Sequence, residues 1–411
     1  MEVQCASVDM ASPSETCATS QWRAVTRQAV ALYGTPCYVT RLRPVTNALH
    51  QLEHGHGHAV RCWLSFKTHP LPPLVKWWTR TGRGVEVVSE AEFVAARRLG
   101  ASVDQLLVNG VGKHGWLNRQ RVPRLRVHFD SLGEIEALLP LAEQLQWRVG
   151  VRVQAPDERD ARDERFAGQF GMTTDEAILS FRRLIDAGCS VESVHFHLGQ
   201  RLQDADAYVR AVEHVAGVCE AAAFRPRFVD CGGGLPAPSS ASAALAGLRD
   251  AVRHAYVRFG PELEEVWLEN GRYVTEQSAS LAIRVLDVKD RDECRYLICD
   301  GGRTNHALAA DVGLHPIVLL QPRSGAPRLT TICGPTCMTD DTLGRIDLPD
   351  DVAPGDVLLW LNAGAYHLPW ETRFSHGLCA VAWCNEAEEL SLARERERPD
   401  EWIQPWNLWS L

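Results

Sequence analysis

Apolar runs of four to six residues alternate with helix-length amphipathic segments along much of the chain, beginning at residue 62. The apolar runs predict eight strands, at 62–67, 84–89, 105–109, 126–130, 149–154, 193–198, 227–231 and 266–269. The segments between them predict helices at 71–81, 90–99, 114–121, 131–146, 174–187, 204–223 and 239–258. Because alternating strands and helices form a parallel sheet, eight units over about 220 residues predict a closed α/β TIM barrel, (β/α)8. An open doubly wound sheet is the alternative, but it usually has fewer units.

After residue 280 the pattern changes to strand-like runs separated by Gly, Pro and Asp turns. These runs predict strands at 282–288, 295–300, 316–320, 329–333, 356–361 and 378–384. Sparse helical periodicity indicates a second, mostly antiparallel β domain, sandwich-like or barrel-like, which a strand near residue 38 could join. We therefore expect a barrel at 44–280, a β domain made of 22–43 and 281–395, and tails at 1–21 and 396–411.

Charge and composition narrow the possible partners. The net charge is −9 and no long basic run occurs, which argues against nucleic acid and anionic membrane as partners. We find no apolar stretch long enough to span a bilayer. Residues 1–20 are polar and contain Glu2, Asp9 and Glu15, unlike a signal peptide. These features predict a cytoplasmic protein.

Cysteine and histidine patterns give no metal site. The thirteen cysteines include no C-x-x-C pair, which predicts reduced, mostly buried thiols rather than a disulfide framework or a zinc ribbon. His54, His56 and His58 alternate with glycines, so they are expected on a mobile loop without adjoining acidic or cysteine ligands. We therefore expect no metal.

Polar residues stand at the carboxyl ends of the predicted strands, where TIM barrels carry their chemistry. They are Lys67, Glu86, Asn109, Asp130, Arg152, His195, His197, Asp230 and Glu269. Each has a structural explanation on its own: His197 could be a hydrogen-bonded core histidine, and Arg152 could pair with Glu86. Their convergence from eight strands is hard to explain by packing alone and predicts an active site.

Lys67 and the glycines after the last two strands indicate a cofactor. A lysine at the tip of a buried strand either emerges into water or, partly buried, can form a Schiff base. Gly232–Gly234, Gly271 and Arg272 suit a phosphate, which barrels commonly bind in these loops. Together with an acid, Glu269, that could pair with a pyridinium nitrogen, these residues point to pyridoxal 5′-phosphate (PLP).

Seven motifs occur in one order with consistent spacing: Ser65–Lys67, Val87–Glu92, His195–Gly199, Asp230–Gly234, Glu269–Arg272, Gly334–Cys337 and Gly364–Tyr366. Through them, residues 35–385 resemble the fold-type III PLP-dependent decarboxylases, the group of diaminopimelate, ornithine and arginine decarboxylases. The resemblance implies a decarboxylase that acts on an amino acid and works as a homodimer with shared active sites.

The resemblance also implies roles for individual residues. Lys67 resembles the Schiff-base lysine, His197 the imidazole stacked on the cofactor ring, and Glu269 the partner of the pyridine nitrogen. Cys337 resembles the cysteine of the neighbouring subunit that protonates the product after CO₂ leaves. The phosphate-binding set comprises Gly232, Gly233, Gly234, Gly271, Arg272 and Tyr366. Glu86 and Arg152 are counted with the cofactor-binding residues.

Departures from the family pattern bear on the substrate. Met338 follows the cysteine where relatives acting on diamino acids carry an acid, so a substrate with a non-cationic distal end is expected. The other predicted substrate-binding residues are Gln200, Arg201, Arg303 and Asp341. The pattern is similar to decarboxylases of siderophore and other natural-product pathways, some of which act on amino-acid conjugates. A diaminopimelate, ornithine or lysine decarboxylase, a racemase on the same fold and a non-catalytic regulatory homologue are the alternatives.

Overall fold

The computed structural model describes residues 13–155, 168–291 and 294–406. The chain divides into two units, one spanning Thr46–Val274 and the other combining the segments on either side, up to Val45 and from Thr275. Within the described ranges, no helix has both the length and the apolar character needed to cross a membrane. The chain begins with helix α1 (Pro13–Tyr33) and strand β1 (Cys37–Arg41). Helix α1 thus covers part of the expected N-terminal tail, whose first twelve residues lie outside the described ranges.

The next eight strands form a closed parallel barrel, as predicted. They are β2 (Val60–Ser65), β3 (Gly84–Val87), β4 (Leu106–Val108), β5 (Arg126–Phe129), β6 (Arg148–Arg152), β7 (Ser190–His195), β8 (Phe228–Asp230) and β9 (Glu265–Leu268). The barrel closes where β2 pairs with β9, with Cys62 opposite Leu268. The predicted first strand is two residues too long, because Phe66–Thr68 turn into a short 3-10 helix.

Seven of the helices of this region follow the predicted order. The helices are α2 (Leu42–Glu53), α3 (Pro72–Arg80), α4 (Glu90–Arg98), α5 (His114–Leu117), α6 (Leu132–Gln144), α7 (Thr174–Asp186), α8 (Ala207–Ala221), α9 (Ser242–Phe259) and α10 (Gly271–Thr275). Ser89 and Ser131 cap α4 and α6 by accepting hydrogen bonds from the backbone amides of Glu92 and Glu134, in the first turn of each helix. Helix α5 is one turn long, much shorter than the predicted 114–121.

Aromatic residues fill the barrel interior near its amino-terminal end. Trp63, Leu107, Phe228 and Trp267 form one buried cluster, with the two tryptophan rings 5.1 Å apart in an edge-on arrangement. Such a pair stabilises by about 1 kcal/mol beyond the burial of its area. The close approach of Trp63 requires Gly84, because a Cβ there would lie 2.1 Å from the indole ring.

The second unit is a mostly antiparallel sheet, as predicted. Its remaining strands are β10 (Ala279–Asp290), β11 (Arg295–Cys299), β12 (Ile317–Leu319), β13 (Pro327–Cys333), β14 (Thr342–Pro349), β15 (Val357–Trp360), β16 (Ala380–Cys384) and β17 (Leu390–Arg394). The main order is β14-β13-β11-β10-β1-β16-β17, with β15 between β10 and β12. Strand β1 pairs antiparallel with β10 and parallel with β16, so the strand near residue 38 joins this sheet. The short helices are α11 (Arg303–His306), α12 (His367–Trp370) and α13 (Pro399–Trp402).

Helix α1 covers one face of this sheet. Trp22, Val25 and Ala29 share a core with β1 and β16. Strands β14 and β17 lie at the two edges of the main sheet order, and most of their positions are exposed or half-buried. Their apolar signal is correspondingly weak, which explains why the hydrophobic pattern predicted neither strand.

Candidate active site

Lys67 lies just beyond the carboxyl end of β2, in the turn Phe66–Thr68. Its Nζ is 3.1 and 3.2 Å from the two carboxylate oxygens of Glu86, and its side chain is 42% exposed. Glu86 is buried in β3 and also accepts a hydrogen bond from the Ser65 hydroxyl. The buried carboxylate therefore holds the lysine amine at the barrel mouth while leaving part of the side chain accessible.

A group of buried carboxyls occupies the same end of the barrel. Glu269 directly follows β9, and Asn109 donates a hydrogen bond to its carboxyl. Burial raises the pKa of Glu269 well above its usual value, and the nearby Asp230 and Glu86 raise it further. Burial likewise raises the pKa of Asp230 to about 7. Both carboxyl groups are therefore more basic than ordinary acidic side chains.

Two histidines face these carboxyls from β7 and the loop after it. Ligand atoms of His195, His197 and Glu269 all lie within 4.8 Å of one another. The Gly233 amide donates to Nδ1 of His197 at 3.0 Å, so the neutral imidazole carries its proton on Nε2. Burial keeps the pKa of His195 well below its usual value. Neither ring nitrogen of His195 has a hydrogen-bond partner among the described residues.

Glycines leave space beside these side chains. A Cβ at Gly232 would lie 2.6 Å from the Phe196 carbonyl oxygen, and one at Gly233 would lie 2.9 Å from the Glu269 carbonyl oxygen. A Cβ at Gly271 would meet the Thr68 hydroxyl at 2.2 Å. Any larger residue would displace backbone, so the loops after β8 and β9 approach the site as bare main chain. Gly234, at φ +123°, and the buried Arg272 complete the predicted phosphate-binding residues in this unit.

Arg152 ends β6 and pairs with Asp130, at 3.2 Å, rather than with Glu86. Its guanidinium also lies 4.7 Å from the centre of the Phe170 ring. The Asp130 carboxylate additionally accepts a hydrogen bond from the Gly171 amide. The ion pair with Asp130, which follows the neighbouring strand β5, thus gives Arg152 a structural role. Its side chain still lies at the carboxyl end of the barrel, as Lys67 does.

One buried ion pair was missed by sequence reasoning. Lys113 and Glu134 are both essentially unexposed and form an ion pair. Lys113 also donates to the Gly110 carbonyl oxygen at 2.7 Å, while Glu134 accepts from the Asp130 amide at 2.9 Å. The pair joins the loops that follow β4 and β5. Neither the partner of Glu134 nor its burial is visible in the local sequence pattern.

The substrate-binding predictions divide between the two units. Gln200 and Arg201 are exposed on the loop after β7, and Arg201 has a left-handed backbone, with φ +54°. In the β unit, Cys337 and Met338 are exposed on the loop between β13 and β14. Tyr366 precedes α12 and stacks on Trp370 at 5.4 Å.

Asp341 and Arg303 already have partners inside the β unit. The buried carboxylate of Asp341 accepts from the Arg303 amide at 2.7 Å and from the Thr336 amide and hydroxyl at 2.9 and 2.6 Å. The Arg303 guanidinium binds both carboxylate oxygens of Asp311 at 2.7 Å. These contacts give both predicted substrate-binding residues a structural role in their loops.

The three alternating histidines point to separate neighbours. His54 stacks on His50 and His58 on Tyr256, with ring centres 4.3 and 4.1 Å apart. His56 is buried and contacts the Leu52 carbonyl oxygen. The loop is therefore held by packing on each side of its glycines.

Comparison with known proteins identifies the family. A family model described as the pyridoxal binding domain of pyridoxal-dependent decarboxylases matches residues 42–276, more than half of the chain. A diaminopimelate decarboxylase from Aquifex aeolicus is 23% identical over 92% of this chain and 93% of its own length. An L-glutamyl-[BtrI acyl-carrier protein] decarboxylase from Niallia circulans is 26% identical over 82% of this chain and 85% of its own length. The structure of diaminopimelate decarboxylase from Helicobacter pylori, complexed with L-lysine, has the same fold, with a TM-score of 0.81 and 21% sequence identity. The match covers 93% of this chain and 99% of that structure.

The residues of the barrel fit PLP. The raised pKa of Glu269 makes its carboxyl group a basic partner for a pyridine nitrogen, and the bare backbone at Gly232–Gly234 and Gly271 leaves room for a phosphate. Lys67 supplies an accessible amine, and the buried Arg272 supplies a positive charge next to Gly271. The cofactor is PLP, and the reaction is decarboxylation of an amino acid. The chain belongs to the family of pyridoxal-dependent decarboxylases.

Proposed function

We propose that the chain decarboxylates an amino acid or amino-acid conjugate whose distal end carries no positive charge, in siderophore or other secondary-metabolite biosynthesis. The observation that carries this proposal is the loop after β13. Met338 offers no charge, and the carboxylate of Asp341 is buried among three donors of its own unit. A distal ammonium would therefore lose its water at this loop without gaining a partner from these residues.

Arg201 supports an uncharged or anionic tail. It is exposed, and no ion pair of Arg201 occurs among the described residues. Non-glycine residues with a left-handed backbone are uncommon and often lie in functional loops. We assign its guanidinium to an acidic or carbonyl-rich part of the substrate. The relative named for a glutamyl group on an acyl-carrier protein offers a precedent for a conjugate within the family.

Roles for the site residues follow from their positions. When bound, PLP supplies an electron sink for the bond that breaks between Cα and the carboxylate. Lys67 would hold the cofactor through its side-chain amine, and Glu269 would pair with the pyridine nitrogen and favour its protonated form. His197, whose ring is held by the Gly233 amide, would contact the cofactor ring. Cys337 delivers a proton to Cα once CO₂ has left.

We also propose that Cys337 serves the site of a second subunit in a homodimer. It is exposed on its loop, as a residue reaching into a partner must be in the isolated chain. Equal mixtures of dissociated and reassociated Lys67→Ala and Cys337→Ala proteins should recover roughly a quarter of the wild-type rate, because half of the dimers then contain one intact site of two. Each variant alone should stay inactive, and a mixture no more active than its parts would contradict shared sites.

CO₂ release from matched substrates tests the substrate proposal. Glutamate and its carrier-bound conjugate should be turned over with a higher kcat/KM than lysine or diaminopimelate. Met338→Asp should raise kcat/KM for lysine by roughly tenfold or more by adding a carboxylate for the distal ammonium, whereas Met338→Leu should not. A wild-type preference for lysine or diaminopimelate would refute the proposal.

The second candidate is a diamino-acid decarboxylase. The diaminopimelate decarboxylases among the relatives favour it, as does Asp340, an exposed carboxylate two residues after Met338. In that case Asp340→Asn should reduce kcat/KM for lysine or diaminopimelate by roughly tenfold or more. On the main proposal, the same variant leaves turnover of the conjugate unchanged.

A further inference from the structure

The amino-terminal mouth of the barrel contains a cavity of about 270 Å³. It lies at the starts of the strands, whereas Lys67 and Glu269 lie beyond their carboxyl ends. Arg61, Arg126, Phe228 and Glu265 contribute to its walls from the first or second positions of β2, β5, β8 and β9. Nothing in the decarboxylation chemistry uses this end of the barrel.

Most charged side chains around the cavity are paired. Arg61 binds both carboxylate oxygens of Glu265, at 2.7 and 2.8 Å. Arg227 binds both oxygens of Glu264, at 2.7 and 3.0 Å, and also contacts Glu192 at 3.0 Å. Such two-point contacts are the strongest geometry that an arginine and a carboxylate can form. The carboxylates Glu264 and Glu265 therefore have little remaining attraction for a cation.

Arg126 is the exception. Across the described ranges, no carboxylate forms an ion pair with it, and its Nε is buried with no hydrogen-bond partner. Its Nη1 donates only to a main-chain oxygen, that of Asp104, at 2.7 Å. Its guanidinium lies 5.6 Å from the centre of the Trp267 ring and 6.0 Å from that of Phe228. Burial and the neighbouring Arg148 lower the pKa of Arg126 to about 10, as expected of a cation without a counter-ion.

We propose that this cavity is a binding site for a small oxyanion of the phosphate class, with Arg126 as its principal ligand. An oxyanion would bring a negative charge to the one guanidinium lining this cavity that has no carboxylate partner among the described residues. The aromatic rings behind Arg126 fix the guanidinium plane. Because Asp104, Glu192, Glu264 and Glu265 equal the surrounding arginines in number, binding should be modest in affinity and should weaken as salt is added.

Phosphate titration of the holoenzyme tests the site. With PLP bound, the phosphate loops of the active site are filled, so added inorganic phosphate reports other sites. Calorimetry at constant ionic strength, balanced with chloride, should show saturable binding. Arg126→Gln should weaken it at least tenfold. Arg225→Gln is the matched control, because Arg225 lies two residues before Arg227 but is 74% exposed. This control should leave phosphate binding unchanged.

A second variant keeps the test decisive if Arg126→Gln does not fold. Glu264 is half-exposed, and Glu264→Gln releases Arg227 from one of its two acids without emptying the cavity. Phosphate should then bind several-fold more tightly, because the mouth gains one net positive charge. Phosphate binding that is absent, non-saturable or unaffected by Glu264→Gln would overturn the proposal, as would an equal loss in Arg225→Gln.

Discussion

The two ends of the barrel treat charge in opposite ways. At the amino-terminal end, Arg61 and Arg227 meet their acids in two-point contacts, and the rim is close to neutral. At the carboxyl end, Glu86, Asp230 and Glu269 are buried near one another, and Lys67 forms an ion pair with Glu86. The paired charges at the amino-terminal end are consistent with a role in stabilising the barrel. The carboxyl end instead keeps ionisable groups buried, which folding alone would not favour.

This difference identifies what the carboxyl end is built to do. Burial and the nearby Glu86 raise the pKa of both Asp230 and Glu269, so both carboxyl groups are more basic than usual. A basic carboxyl group beside a pyridine nitrogen helps to keep that nitrogen protonated, and the protonated ring withdraws electrons most effectively. Burial of these carboxyl groups costs stability, but the raised pKa that results suits the site to PLP.

Replacing the lysine should have the largest effect. Lys67→Ala should lower kcat for CO₂ release by at least about 1,000-fold, because the variant lacks the amine that holds the cofactor and releases the product. The visible absorbance of the purified holoenzyme should disappear as well. The matched control is Lys76→Ala, an exposed lysine on α3 that should leave both readings intact. Full turnover by Lys67→Ala would refute the assignment of Lys67 as the lysine that holds the cofactor.

The buried pair at the carboxyl end should show the largest effect on stability. Glu134→Gln should lower the free energy of unfolding by about 3–5 kcal/mol, because Lys113 is left charged and unexposed. The double variant Lys113→Met, Glu134→Leu should recover most of that loss in urea denaturation. A single variant as stable as wild type would mean that the pair does not hold the loops after β4 and β5 together.

The raised carboxyl pKa should appear in the pH dependence of stability. An unfolded aspartate releases its proton near about pH 4, whereas burial raises the folded pKa of Asp230 to about 7. Between these values the folded state binds more protons than the unfolded state, so stability falls as pH rises. In cofactor-free protein, Asp230→Asn should flatten this decline from pH 4 to 7 in thermal melts. Parallel profiles for the two proteins would show that Asp230 titrates normally.

Breaking a pair at the amino-terminal end should have the smallest effect. The side chains of Arg61 and Glu265 are 39% and 25% exposed, so water screens their interaction. Arg61→Gln should lower the free energy of unfolding by about 1 kcal/mol or less and leave kcat/KM unchanged. A marked loss of activity with unchanged stability would mean that the amino-terminal end of the barrel takes part in catalysis, which would contradict the comparison.

Periodicity predicted the barrel well because each of its strands is a buried apolar run followed by an amphipathic helix. Periodicity failed where tertiary contacts, rather than the local apolar run, determine the backbone conformation. The apolar stretch around Cys62 continues through Phe66, yet the strand ends at Ser65, and Lys67 belongs to a turn. The half-exposed edge strands β14 and β17 carried too little apolar signal to be recognised.

The candidate site divides along a similar line. Strand ends could be found in the sequence, so Lys67, Glu86, His197 and Glu269 were named as site residues before their neighbours were known. Spatial pairings could not be found, because the partners are distant in sequence: Lys113 with Glu134, and Arg303 with Asp341 through its main chain. The unpaired state of Arg126 is likewise a property of its surroundings.

Borohydride reduction of the holoenzyme, followed by peptide mass mapping, tests the central claim most directly. The chain contains only four lysines, Lys67, Lys76, Lys113 and Lys289. Lys113 is buried in its ion pair, and Lys76 lies on the outer helix α3. The pyridoxyl mass should appear on Lys67 alone. A label on any of the other three lysines, or an active preparation in which Lys67 carries none, would contradict the assignment.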